Sequence, residues 1–437
     1  MNENITTSRA LLAFLKDSPT CFHAASSVRK ILQENGYEEL TEGKTWKLNE
    51  KGRYFIVRNE SSVIAFRIPK QDFTGFMIGA SHSDSPTFKI KANPEIVENG
   101  YVKLNVEKYG GMLLGQWYDR PLTAAGRVIV KENNCFVTKL VNIDRDLLMI
   151  PHLAIHMDRK ANEQGAGSVQ KDFLPVLGSE ETKGMFMKIA AEEAGVKEED
   201  IIGHDLFLCL REEGRIWGAN QEYVSSGRLD DLQCGYADLE GFLQAEESDS
   251  VPVFAMFDNE EVGSLTKQGA NSTFLEDVLR RICSLCGKDE NGYREAAANS
   301  FMVSADNAHA VHPAHPEKAD PVNRPKINKG IVLKHSANQK YTTDAVSAAV
   351  FRAICKEAGV PVQDFTNHSD VIGGSTLGNL SNSHVSLNTA DIGLPQLAMH
   401  SCYETAGTAD TGYLIQAMRK FYSLSFCDEG QGTFSVK

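Results

Sequence analysis

Two adjacent glutamates, Glu260 and Glu261, follow the apolar run Val253-Phe254-Ala255-Met256-Phe257 in the stretch Asp258-Asn259-Glu260-Glu261-Val262-Gly263. At the end of a strand, neighbouring side chains point to opposite sides, so one carboxylate can bind a metal while the other faces the water that the metal activates. An isolated glutamate pair is ordinarily a solvated surface feature. This pair belongs to a series. Phe76-Met77-Ile78-Gly79-Ala80 leads into Ser81-His82-Ser83-Asp84, Phe301-Met302-Val303 leads into Ser304-Ala305-Asp306, and Leu394-Pro395-Gln396-Leu397-Ala398-Met399 leads into His400. Each run reads as a buried parallel strand. Between them, Ser225-Ser226-Gly227-Arg228-Leu229-Asp230-Asp231 opens a helical pattern through Leu232, Tyr236 and Leu239.

Open α/β sheets carry their sites at the carboxyl ends of strands, so His82, Asp230, Glu261, Asp306 and His400 are expected in one crevice. Five donors are too many for one tetrahedral ion, but they suit two ions that share a carboxylate and keep open positions for water. Imidazole and carboxylate donors favour zinc or a similar first-row ion, with manganese and cobalt as alternatives. The reading is a dinuclear hydrolase.

The same residues carry a resemblance. His82-x-Asp84-Ser85-Pro86, Arg228-Leu229-Asp230, Asp258-Asn259-Glu260-Glu261-Val262-Gly263-Ser264, the stretch from Ser304 to Pro313 and Pro395-Gln396-Leu397-Ala398-Met399-His400-Ser401 resemble the aspartyl aminopeptidases, in the same order from about residue 8 to residue 422. That family comprises dinuclear zinc exopeptidases assembled as tetrahedral dodecamers. The resemblance implies that His82 and Asp306 hold one zinc, Glu261 and His400 the other, and Asp230 bridges them. It makes Glu260 the general base and Asp84 the carboxylate that orients His82. It further implies that His309, Lys334 and Tyr341 contact substrate and that His156 reaches into a neighbouring subunit's site. Asp231, where relatives carry asparagine, competes with Asp230 for the bridge. The stretch from Asn367 to Gly378 matches only loosely and is expected to line the substrate pocket.

The expected chemistry is metal-assisted hydrolysis of peptides with a free N-terminus. Glu260 would take a proton from water and pass it to the leaving amine, and His156 would hydrogen-bond the oxyanion from a partner subunit. Lys334 is the residue whose ammonium could select an Asp or Glu side chain at the N-terminus. An aminopeptidase for neutral residues or another dinuclear amidohydrolase shares the same donors, because specificity lies in loops. A non-catalytic scaffold is a more distant alternative that leaves Glu260 without a purpose.

Other residues have plainer readings. His312 and His315 are interrupted by Pro313 and read as surface or structural, Cys283 and Cys286 as thiols buried in a helix, and Gly110-Gly111 and Gly373-Gly374 as turns, since neither fits a phosphate cradle.

The expected architecture is an α/β catalytic domain of residues 1–89 plus 214–437, with a mixed sheet covered by helices on both faces. An inserted β-rich dimerisation domain, residues 90–213, interrupts it. Ala25, Val28 and Ile31-Leu32 mark an N-terminal helix, and Tyr54-Phe55-Ile56-Val57 and Val63-Ile64-Ala65-Phe66 mark strands. Alternation at Val102, Leu104 and Val106 and a hairpin around Lys131-Glu132-Asn133-Asn134 mark the insert. Helical stripes at Val346 to Ile354 and Leu414 to Phe421 are core faces. A chain of 437 residues can bury a large core, and a net charge of -13 argues against nucleic acid or anionic membrane as partners. No signal-peptide pattern or apolar run of about 18 residues occurs. Nine cysteines without a spacing framework fit a reducing cytoplasm.

Overall fold

The computed structural model describes residues 3–163, 165 and 167–437. Among the described residues the largest sheet has nine strands. From one edge to the other they are Glu38–Leu40, Arg53–Arg58, Ser62–Arg67, Val251–Phe257, Phe76–His82, Phe301–Ala305, Asn388–Gly393, Ile331–His335 and Val362–Thr366. The four central strands, from Val251–Phe257 to Asn388–Gly393, are mutually parallel, and the set is bordered on either side by an antiparallel neighbour, Ser62–Arg67 and Ile331–His335. Every residue of Phe76–His82 and Val251–Phe257 is buried, which is why these strands read as unbroken apolar runs.

Alternate side chains feed two cores. Met77, Phe254, Met256, Phe301 and Val303 face a layer that includes the helices Glu3–Lys16, Cys21–Glu34, Leu229–Gln244, Ala345–Glu357 and Asp410–Tyr422. Phe76, Ile78, Val253, Ala255 and Phe257 face Phe274–Leu285 and Glu290–Ala298 on the opposite side. The sheet is therefore covered on both faces, as expected, and the helix Glu3–Lys16 is an addition that the sequence pattern had not singled out. Each fully buried large apolar side chain contributes roughly 1.5–3 kcal/mol relative to exposure.

A second sheet has the order Cys135–Asn142, Leu122–Glu132, Ile201–Leu210, Thr87–Glu98, Tyr101–Tyr109 and Val176–Ser179. The expected hairpin joins Leu122–Glu132 to Cys135–Asn142. This sheet has its own apolar core around Phe88, Trp117, Phe173, Phe186 and Leu206, and its first strand already begins at Thr87. A five-stranded sheet, Arg215–Trp217, Tyr223–Ser226, Glu404–Gly407, Pro395–Leu397 and Ala308–His309, closes one end of the central crevice. Among the described residues no helix is long and apolar enough to cross a membrane.

Two local expectations change. The apolar run before His400 is not a strand of the main sheet. The chain leaves that sheet at Gly393, where a Cβ would lie 1.9 Å from the Asp306 carbonyl oxygen, and pairs Pro395–Leu397 into the five-stranded sheet instead. His400 then sits in an irregular turn at φ 65°. The glutamate pair also lies beyond its strand, on the single 3-10 turn Glu260–Val262 that follows Asn259 at φ 62°.

Candidate metal centre

Three adjacent parallel strands bring their carboxyl ends to one place. Phe257 pairs with His82 and Ala80 with Ser304, so His82, the Glu260–Val262 turn and Asp306 emerge side by side. Asp230 enters from the first turn of the helix Leu229–Gln244, where Asp230 and Asp231 have non-helical backbone angles, and His400 enters from the far turn.

The five expected donors meet. Asp230 offers one oxygen to each imidazole: Oδ1 lies 3.5 Å from His82 Nε2, and Oδ2 lies 3.5 Å from His400 Nε2. His400 Nε2 is also 3.5 Å from Glu261 Oε2. Donor atoms of His82, Asp230 and Glu261 lie within 4.8 Å of one another, as do those of Asp230, Asp231 and Asp306. Asp231 belongs to the second cluster, but its Oδ2 already accepts the backbone N–H of His82 at 3.1 Å.

The donor set fits divalent cations. Asp230 Oδ1 and Glu261 Oε1 are buried without a hydrogen-bond donor among the described residues. Burial, reinforced by the neighbouring Asp230 charge, holds Glu261 well above the ordinary carboxylate range. Burial also pushes Glu260 up to about 8, with His82 opposing and Asp306, Asp84 and Asp230 adding to the shift. His82 is shifted upward although burial opposes its charge, because Asp230 and Asp84 flank it. Carboxylates crowded this closely repel one another, and cations between them would relieve both the repulsion and the missing hydrogen bonds.

Asp84 braces this arrangement. Its Oδ1 accepts the N–H of Glu260 at 3.1 Å and its Oδ2 that of Glu261 at 3.2 Å, which fixes the turn and turns the two glutamates apart. Oδ1 also lies 3.4 Å from His82 Nδ1. The Tyr109 hydroxyl donates to Asp84 Oδ2 at 2.7 Å and accepts from Asn259 Nδ2 at 2.8 Å. The separation of the glutamates therefore comes from a braced turn and not from strand alternation.

A cavity of about 290 Å³ opens beside these donors and is lined by His309, Lys334, Tyr341, Phe365, Met399 and Gly374-Ser375-Thr376 as well. The expected substrate contacts His309, Lys334 and Tyr341 thus share the cavity, as does part of the loosely matching stretch. Lys334 is buried, with Nζ 3.7 Å from Asp306 Oδ1 and 5.5 Å from the centre of the Tyr341 ring. Burial and the Lys334 charge lower the pKa of His309. His156 is not among the lining residues. It is exposed on the irregular stretch 151–163.

Three participants were not legible beforehand. Glu404 accepts the backbone N–H groups of both Asp230 and His400. Tyr109 comes from the second sheet. At Gly110, with φ 78°, a Cβ would lie 3.2 Å from Glu261 Cβ, so the pair read as a simple turn lies against the donor cluster. The available signals were the position of Glu404 four residues after His400 and the doubled glycine itself. His312 and His315 are exposed, and Cys283 and Cys286 are buried free thiols, as read.

The family described as aminopeptidase I zinc metalloprotease (M18) matches residues 14–422. A probable M18 family aminopeptidase 2 from Clostridium acetobutylicum is 47% identical over 97% of this chain and 100% of its own, and one from Pseudomonas aeruginosa is 37% identical over 95% and 98%. Among solved structures, the Ape4 and Nbr1 complex matches with a TM-score of 0.93 at 35% identity, covering 96% of this chain and 86% of that one. The S. cerevisiae mApe1 dodecamer matches with a TM-score of 0.85 at 27% identity and 97% coverage of both chains. A donor cluster of the kind a metallopeptidase needs, on a chain matched nearly end to end by such relatives, makes this protein a member of the M18 family of metalloaminopeptidases.

Proposed function

We propose that this aminopeptidase removes N-terminal Asp or Glu from peptides, using two divalent ions, zinc foremost, with Glu260 as general base. The observation that carries the acidic preference is Lys334: its buried ammonium borders the cavity beside His309 and Tyr341, where a substrate carboxylate could pair with it. In this reading His82 and Asp306 hold one ion, Glu261 and His400 the other, and Asp230 spans them, one oxygen to each side.

The ions, when bound, supply an acidified water and polarise the scissile carbonyl. Glu260 accepts the proton at its carboxylate and returns one to the departing amine. Asp84 keeps His82 and the glutamate turn in place throughout.

The assembly belongs to the same proposal. Residues 90–213 would form the dimerisation domain of a homododecamer, as in the dodecameric yeast relative, and His156 would complete a neighbouring site. The exposed side chains of Met149, Leu153, Ile155 and Met157, around His156, support an interface there.

One observation favours a second reading, an aminopeptidase for neutral residues: Lys334 already faces Asp306 at 3.7 Å, so part of its charge is engaged before substrate arrives. Hydrolysis of aminoacyl chromogenic amides, each as free amine and as N-acetyl derivative, separates the two. Free-amine Asp and Glu substrates should be cleaved fastest. Preference for Leu or Met would reassign the pocket, and cleavage of the acetylated forms would remove the aminopeptidase requirement for a free N-terminus.

A further inference from the structure

We infer that Glu404 is a positioning residue that sets the distance between His400 and Asp230, and with it the affinity of one of the two metal positions. The inference rests on the metal reading above. Glu404 opens the strand Glu404–Gly407, opposite Ser226 in an antiparallel pair, and its side chain is only 1% exposed. Its Oε1 accepts the backbone N–H of His400 at 2.8 Å, and its Oε2 accepts that of Asp230 at 3.0 Å. Its charge is felt by the buried Arg228 and by His400. Burying a carboxylate is costly, and here both of its oxygens are spent on the backbones of two expected metal donors.

The arrangement repeats that of Asp84 with a different reach. Asp84 joins two neighbours in one turn, whereas Glu404 joins two segments remote in sequence. His400 needs the brace more than most residues would. At φ 65° it occupies the left-handed region, which a non-glycine residue holds only when its surroundings fix it. The bond to Glu404 is at the N–H of that strained residue. It holds the imidazole where Nε2 faces Asp230 Oδ2 and Glu261 Oε2. Partners that orient metal ligands typically change metal affinity by about 10–100-fold when removed.

The test compares the full-length protein with Glu404→Gln, Glu404→Ala and, as a structural control, Asp410→Asn. Asp410 is equally buried and also accepts two backbone N–H groups, those of Asn328 and Gly330, but it touches no expected metal donor. Co²⁺ and Zn²⁺ are titrated against a competing chelator while the Co²⁺ absorption bands and melting temperature are recorded. Glu404→Gln keeps the size of the side chain but offers one backbone N–H an amide donor in place of an acceptor. One of the two dissociation constants should rise by about 10–100-fold, with altered Co²⁺ bands and an unchanged second site. Asp410→Asn should lower the melting temperature and leave both constants alone. Folded Glu404→Gln protein with wild-type affinities and bands overturns the inference, as does equal metal loss in the Asp410→Asn control. If Glu404→Ala does not fold, Glu404→Gln alone decides. Wild-type protein that takes up no metal pair overturns the metal reading and this inference together.

Discussion

The Tyr109 hydroxyl donates to Asp84 Oδ2 at 2.7 Å, so a residue of the six-stranded sheet grips the carboxylate that braces the metal-site turn of the nine-stranded one. Tyr109→Phe keeps the ring, which packs edge-on against Phe207, and removes only this bond and the one from Asn259. Losing one donor to a buried carboxylate costs about 1–3 kcal/mol. If that loss is expressed at the glutamate turn, kcat should fall by about 10-fold or more with metal content intact, as read by steady-state kinetics beside elemental analysis.

Glu260→Gln keeps the shape of the turn and its N–H bond to Asp84 but removes the proton acceptor. Turnover should fall by roughly 10²–10⁴-fold while metal content and assembly stay at wild-type values. Near-normal kcat in metal-replete protein would assign the base elsewhere.

His400→Phe removes an imidazole that faces both Asp230 and Glu261. Elemental analysis should find about one metal per chain in place of two, because His82 and Asp306 are untouched. Unchanged stoichiometry would mean that the donor set is drawn wrongly.

His156→Phe carries the cross-subunit proposal. His156 is exposed and does not line the cavity of its own chain, so metal content should not change. Loss of an oxyanion donor is typically worth about 3 kcal/mol, so kcat should drop by about 10²-fold. A mixture with subunits inactivated at Glu260 should recover part of that rate.

Asp238 gives a stability prediction away from the metals. Burial raises its pKa to about 8, against the hydroxyl of Tyr422, which donates to Oδ1 at 2.8 Å. The folded state therefore keeps a proton that the unfolded chain releases near 3.8. Folding binds protons across this window, so the contribution is favourable below about pH 4 and is lost progressively as pH rises towards 8. Asp238→Asn, which cannot ionise, should lose less of its melting temperature than wild type as pH rises over that range. Its advantage should grow with pH, and chemical denaturation at several pH values reads it directly.

Much of the centre was legible because four of the five expected donors follow an apolar run, and parallel strands stack their carboxyl ends together. His82, Glu261 and Asp306 follow from that rule alone. The path to His400 did not, because the same apolar composition serves two sheets and only the crowding at Gly393 against the Asp306 carbonyl decides where the chain turns. Glu404 and Tyr109 were illegible for a related reason. They act on backbone N–H groups and on another carboxylate, and such partnerships demand no particular side-chain type at a fixed spacing, so the four-residue step from His400 to Glu404 does not stand out by itself. The helix Glu3–Lys16 has a weakly patterned surface whose burial depends on neighbours brought by tertiary contact.

The donors run from His82 near one end of the chain to His400 near the other, and their order in space differs from their order in sequence. No contiguous fragment can present the set. During synthesis, a metal ion meets only single imidazoles and scattered carboxylates until the strand Asn388–Gly393 has joined the sheet and the His400 turn has closed over Asp230. In the proposed centre, metal capture would thus be a late event that reports completed folding, and a chain stalled or truncated before that turn would be released without the full donor set whatever the metal supply.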